Sequence, residues 1–172
     1  MGLFIDRIRE ITGLVKVESR LVVTPLTMVP GIVIANQPSD AGDALGGVGQ
    51  NDIDVKGRPL PQFGFIVGSK LIDPDDDTLS LTVHVYSAKI AGTTDDAALA
   101  HTAVDGLSWI TSMGFDDGTD IGSAKCHEIQ VWNSPFYLPN RTLYWQCSTA
   151  GTPNIAAGAE PRIQFFILPF GG

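Results

Sequence analysis

The residues able to bind a metal or carry a reaction are few, and their spacing excludes most such chemistry. Asp73, Asp75 and Asp77 alternate as the first ligands of a calcium loop do. That loop needs glycine at its sixth position and a bidentate glutamate at its twelfth, and those places hold Thr78 and His84. An EF-hand is therefore excluded, which leaves a solvated acidic turn or, less simply, a looser calcium site completed by other loops. Asp116, Asp117, Gly118, Thr119 and Asp120 form a second acidic turn. His84, His101 and His127 show neither His-x-His nor His-x-x-x-His spacing, so zinc has no local pair to bind. Cys126, His127 and Glu128 are adjacent, but successive strand side chains point to opposite faces, so they make a poor catalytic set. No Gly-x-Ser-x-Gly elbow and no Gly-x-x-x-x-Gly-Lys loop occurs. No catalytic, cofactor-binding or metal-binding residue is assigned, and no cofactor is expected.

Composition points away from several partners. The 172 residues are 44% hydrophobic and only 17% charged, which suits one domain with a real core and excludes disorder. So few charges suit the subunit of a larger assembly better than a free monomer. The net charge of −8 opposes nucleic-acid phosphates, and Arg7, Arg9, Lys16 and Arg20 are interleaved with acids. No apolar run is long enough to cross a membrane as a helix, and no signal peptide is apparent. The expectation is a soluble protein made in the cytoplasm, with Cys126 and Cys147 as free, largely buried thiols.

These side chains must be positioned by strands, with one exception. Phe4, Ile8, Ile11 and Val15 fall at spacings of four, three and four, the stripe of an amphipathic helix, with Asp6, Arg7, Arg9 and Glu10 between them. A helix this short is marginal alone, so it needs a surface to lie on. Phe4, Ile8 and Ile11 are the partner contacts expected of this arm, which spans residues 1–13. From Val15 the period changes to two, and residues 14–172 read as a single β domain.

Residues 36–51, glycine-rich and without aromatic groups, predict a flexible loop or extended arm. Leu79, Leu81, Val83 and Val85 alternate with polar residues, the clearest half-buried strand. Residues 94–105 predict a short inserted helix, capped by Thr94 and stopped by Gly106. Residues 127–133 and 141–147 read as a hairpin around 134–139; if it is symmetric, Cys126 lies opposite Cys147. Residues 162–168 form a strand apolar on both faces, which must be covered on both. Trp132, Phe136, Tyr137, Tyr144 and Trp145 suit a core or subunit contact; a sugar-stacking platform is the alternative and requires Trp132 or Trp145 to be exposed. The whole predicts a mainly β antiparallel sandwich, jelly-roll-like, with an N-terminal helical arm and one short inserted helix.

The arm around Phe4 to Val15, the Gly/Ala/Asp stretch 36–51 and the apolar ending from Ile163 to Gly172 resemble virion proteins of tailed bacteriophages, in particular capsid cement or decoration proteins. The resemblance spans the chain in style and carries no diagnostic motif. It implies a structural protein of the virion rather than an enzyme, homo-oligomeric and commonly trimeric, bound to the major capsid protein or other virion subunits. It transfers no site residue. A carbohydrate- or ligand-binding β-sandwich module is the alternative, and a small enzyme assembled from His84, Asp116 and His127 is a further one.

Overall fold

The computed structural model describes residues 24–27, 42–54, 57–74, 80–93, 97–116, 118–122, 124–129, 134–149 and 161–169. The arm with Phe4, Ile8 and Ile11 lies outside the described residues, as do Asp75, Asp76, Asp77 and Trp132. What is described is mainly β, in antiparallel sheets. Its strands are β1 (Thr24–Thr27), β2 (Ala44–Asn51), β3 (Phe63–Asp73), β4 (Leu81–Tyr86), β5 (Trp109–Phe115), β6 (Thr119–Asp120), β7 (Lys125–Ile129), β8 (Ser134–Tyr137), β9 (Leu143–Thr149) and β10 (Arg162–Pro169). A single turn of helix, α1 (Ala103–Gly106), precedes β5.

The pairings are nested. First pairs with last, β1 with β10; β2 pairs with β9, β3 with β7 and β8, and β4 with β5. Lateral pairing of β10 with β3 and of β9 with β4 joins these ribbons into two sheets. The six-stranded sheet runs β1-β10-β3-β7-β6, with β8 also on β3, and the four-stranded sheet runs β2-β9-β4-β5.

Alternation decides which side chains meet between the sheets. Leu81, Val83 and Val85 of β4, Met113 and Phe115 of β5, and Leu143, Trp145 and Cys147 of β9 point inward from the four-stranded sheet. They share one apolar cluster with Ile66 and Leu71 of β3 and Ile163, Phe165 and Ile167 of β10. Each large side chain so buried contributes about 1.5–3 kcal/mol relative to exposure. The alternation seen in β4 and the apolar run of β10 are realised as strands.

Three expectations are corrected. Residues 44–51 are not a loop but strand β2. Its glycines erase the period yet serve the packing, because a Cβ on Gly49 would stand 1.9 Å from the Trp145 ring. Thr94 to Asp96 lie outside the described residues, and within 97–106 the helix is confined to Ala103–Gly106; it starts at Thr102, whose side chain and that of Asp105 form a capping box, and it ends at Gly106 as expected. Ala97 to Ala100 are not helical, and Ala98 instead bridges to Asp43. Finally, residues 134–137 are a strand rather than a turn, so β7 and β9 go to different sheets. Cys126 therefore faces Ile72 and Thr119 while Cys147 pairs with Val83 and Leu45, and both thiols are free.

Candidate functional site

Three surfaces carry the side chains of interest, and the first is the outer face of the four-stranded sheet. His84 is half-buried there on β4, flanked by its cross-strand neighbours Ser112 on β5 and Gln146 on β9. Its Nδ1 lies 2.8 Å from Ser112 Oγ and its Nε2 lies 3.2 Å from Ser148 Oγ. A neutral imidazole has one ring proton, so one serine accepts from it and the other donates to it. Trp109 Nε1 donates to the same Ser112 Oγ at 3.0 Å. His101 stands edge-on to both His84 and Tyr86, and its ring is within hydrogen-bond reach of the buried Tyr86 hydroxyl at 2.9 Å. Burial, with a smaller push from the Asp105 charge, raises the Tyr86 hydroxyl to about 12.

This serine–histidine chain links β4, β5 and β9 through His84, Ser112 and Ser148. Ser112 Oγ is shared with an indole donor, and a cavity among the described residues lies elsewhere. That cavity, about 270 Å³, is a shallow hollow lined by Gly47, Val48, Lys89, Ile90, Gly92 and Thr93. It has a lone ammonium and no converging polar set.

The network has a measurable consequence. Burial first, and the neighbouring His101 charge second, hold His84 below its ordinary pKa of 6.5. The unfolded chain then takes up that proton more readily than the folded one. Stability is therefore full above about pH 6.5 and falls as pH drops from there through the lower folded value, by at most about 1.4 kcal/mol per pH unit. Thermal melts at pH 7.5 and 5.5 should show this loss, and His84→Gln should flatten it. An unchanged slope in the variant would show that His84 is not its source.

The interior holds the second histidine of interest. His127, on β7, is buried and faces Leu71 across the pair. Its Nδ1 meets the Asp116 backbone carbonyl, Phe115 stands edge-on to its ring, and Gly118 packs so close that a Cβ there would fall 2.6 Å from it. Cys126 and Glu128 point away from His127, as alternation requires, and Glu128 pairs with Lys70 at 3.3 Å. His84, Asp116 and His127 do not converge: His84 is on the far side of the other sheet, and the Asp116 carboxylate accepts from Ser80 Oγ at 3.0 Å. Among the described residues no group of three or more His, Cys, Asp or Glu side chains could hold a metal ion. Asp73, first of the acidic run, is buried at the end of β3.

The third surface is apolar, and it is the outer face of the six-stranded sheet. Register places Phe63 of β3 opposite Tyr137 of β8 and Phe65 opposite both Pro135 and Leu168. The Phe63 and Tyr137 rings stack 4.7 Å apart at 23°, and they are 52% and 51% exposed. Phe65, Val67, Phe166 and Leu168 extend the patch as half-buried side chains. Towards the other end the face becomes charged, with Lys70, Glu128 and Arg162. The aromatic group seen in sequence is thereby divided. Trp145 and Phe136 are core, Tyr137 belongs to this patch, and among the described residues the exposed tryptophan is Trp109, at 52%. Val104 and Leu107 are also exposed beside Trp109, on and after α1.

Sequence reasoning singled out Tyr137 and missed that it meets Phe63, because only the β3–β8 register brings them together. Among the described residues no helix is long and apolar enough to cross a membrane. No protein-family model matches this chain, and neither a curated protein nor a solved structure matches it significantly.

Proposed function

We propose that this chain is a structural protein of a virion, in a capsid cement or decoration role, and not an enzyme. In this reading the body is a jelly roll, which the nested pairing of β1 with β10, β2 with β9, β3 with β7 and β8, and β4 with β5 supports. Such a fold hosts many functions, so the weight falls on the surface. The observation that carries the proposal is the half-exposed apolar face around Phe63 and Tyr137, on a chain whose arm bears a matching apolar stripe. The working form is a homo-oligomer, a trimer by preference. Its body and its arm residues Phe4, Ile8 and Ile11 hold neighbouring copies and subunits of the major capsid protein. Binding at many equivalent lattice points supplies the stabilisation.

Phe4→Ser with Ile8→Ser removes two contacts of about 1.5–3 kcal/mol each, so association with particles should weaken by about a hundredfold to ten-thousandfold. Co-sedimentation with particles lacking this protein measures that loss, while circular dichroism should show an intact β body. Undiminished co-sedimentation would end the arm's role.

The stacked Phe63–Tyr137 pair is also what favours the second reading, a carbohydrate-binding module. Sugar sites set polar groups around their aromatic platform, whereas this pair adjoins Phe65, Pro135 and Leu168. The apolar surroundings favour a protein partner.

A further inference from the structure

We infer that strand β5 is a pairing edge whose occupant is the β5 strand of a second copy of this chain, joined antiparallel across a two-fold axis. The inference rests on the homo-oligomer part of the reading above and not on the virion role. It adds a two-fold contact that joins copies in pairs, beside any contacts that close a ring.

Proteins usually blunt the edges of their sheets with proline, charge, shortness or a covering segment. The six-stranded sheet is blunted in those ways. β1 is four residues long and holds Pro25, β8 is as short and holds Pro135, and β6 has two residues, one of them Asp120. In the four-stranded sheet the start of β2 is covered, since Ala44 N donates to Ala97 O at 2.8 Å and Leu99 N to Gly42 O at 3.0 Å. β5 has none of these devices. It runs from Trp109 to Phe115 without charge or proline, and among the described residues it pairs with β4 alone. Its backbone is open as well. Gly114 has only main-chain atoms to expose and is exposed, whereas Gly64 and Gly68 in the central strand β3 are buried.

The occupant follows from what a copy can offer. With the other edges blunted or covered, β5 is the open edge that a second copy presents, and an antiparallel two-fold pairs a strand with itself. Charge permits this in a chain at −8, because β5 contributes no acid. The regular part of the strand sets the register. β5 stays in step with β4 from Thr111 to Phe115, and that stretch pairs fully with its copy when Met113 lies on the axis. Asp116 then faces Ile110 of the second copy rather than another acid, and Ser112 faces Gly114 of the second copy. The exposed Trp109 donates from Nε1 to Ser112 Oγ at 3.0 Å, so its indole stands beside that glycine. Glycine inside a strand commonly marks the close approach of another chain. Among the described residues only Thr82 Oγ1, at 3.8 Å, comes near the place of a Cβ on Gly114, which leaves room for the indole.

The test uses two full-length chains, one Ser112→Cys and one, differently tagged, Gly114→Cys, mixed and mildly oxidised. A disulfide joining one chain of each kind is expected, because the pairing sets these positions opposite, and wild-type chains control for the half-buried Cys126. Gly114→Lys puts a charge on the edge and fills the room for the indole. Light scattering should show its mass fall to half that of the wild-type oligomer, with the β body intact by circular dichroism. An oligomer that gives no mixed disulfide, and keeps its mass with Gly114→Lys, overturns the β5 pairing and leaves the assembly reading standing. A wild-type chain that stays monomeric overturns both.

Discussion

Trp145→Ala is expected to destabilise the folded chain by about 3–5 kcal/mol, the range for removing a large aromatic side chain from a packed core. Trp145 is 2% exposed, belongs to the cluster shared by both sheets, and directs Nε1 at Asn51 Oδ1, 3.4 Å away. Its ring lies over Gly49, its cross-strand partner on β2. A Cβ at Gly49 would stand 1.9 Å from Cε2 and Cζ2, so Gly49→Ala forces either the ring or strand β2 to move. That overpacking should cost about 1–3 kcal/mol. The two losses should not add: in a Trp145→Leu background the Gly49→Ala penalty should shrink, giving a coupling of about 1 kcal/mol or more. Urea denaturation of the four chains measures it. Strict additivity would mean that Gly49 is needed for its backbone and not for the indole.

Asp105→Ala is the second large effect, expected as a clear fall in melting temperature. The carboxylate is 6% exposed and receives three donors. Thr102 N and Oγ1 donate to Oδ2 at 2.9 and 2.8 Å, and Ala91 N donates to Oδ1 at 3.3 Å. Alanine strands these donors and removes the capping box that starts α1, so the segment between β4 and β5 loses its anchor. Asp105→Asn should recover part of the loss, since its side-chain oxygen can still accept. The Thr102 backbone hydrogen bond is the main reason that the Asp105 carboxyl sits below its ordinary value of 3.8. Its stabilisation is therefore full above about pH 3.8 and disappears as pH falls through the lower folded value. The His84 loss sets in below about pH 6.5 and the Asp105 loss below about pH 3.8, so a melting profile against pH shows their onsets separately. An Asp105→Ala chain that keeps its acid limb below pH 4 would contradict the assignment.

Which parts of this architecture could be seen in the residues follows from where the information sits. Strand β4 was legible because its apolar residues alternate, and β10 because Ile163, Phe165 and Ile167 leave no helical stripe. Strand β2 was not, because Gly46, Gly47 and Gly49 carry no side chain to show a period, although Gly49 is needed by Trp145. The helix was displaced because Ala97 to Ala100 favour helix intrinsically, yet backbone bonds from Ala44 N to Ala97 O and from Leu99 N to Gly42 O hold them extended. The fate of residues 134–137 turned on a contact distant in sequence, since Pro135 and Phe136 read as a turn until β3 pairs with them. The same holds for the surface. Nothing local says that Phe63 stacks on Tyr137, whereas the arm's stripe of Phe4, Ile8 and Ile11 is entirely local and shows at once.

The isolated histidines and acids teach the complementary lesson. Their spacing argued against metal and catalytic use, and the geometry gives His84, His127 and Asp116 separate structural partners. Under the assembly proposal, function rests on shape and apolar surface.

Light scattering coupled to size exclusion on the full-length chain tests that account most directly. It predicts a closed oligomer, a trimer by preference, that persists on dilution. A clean monomer at all concentrations would contradict it and would leave the Phe63–Tyr137 face to a partner other than a second copy.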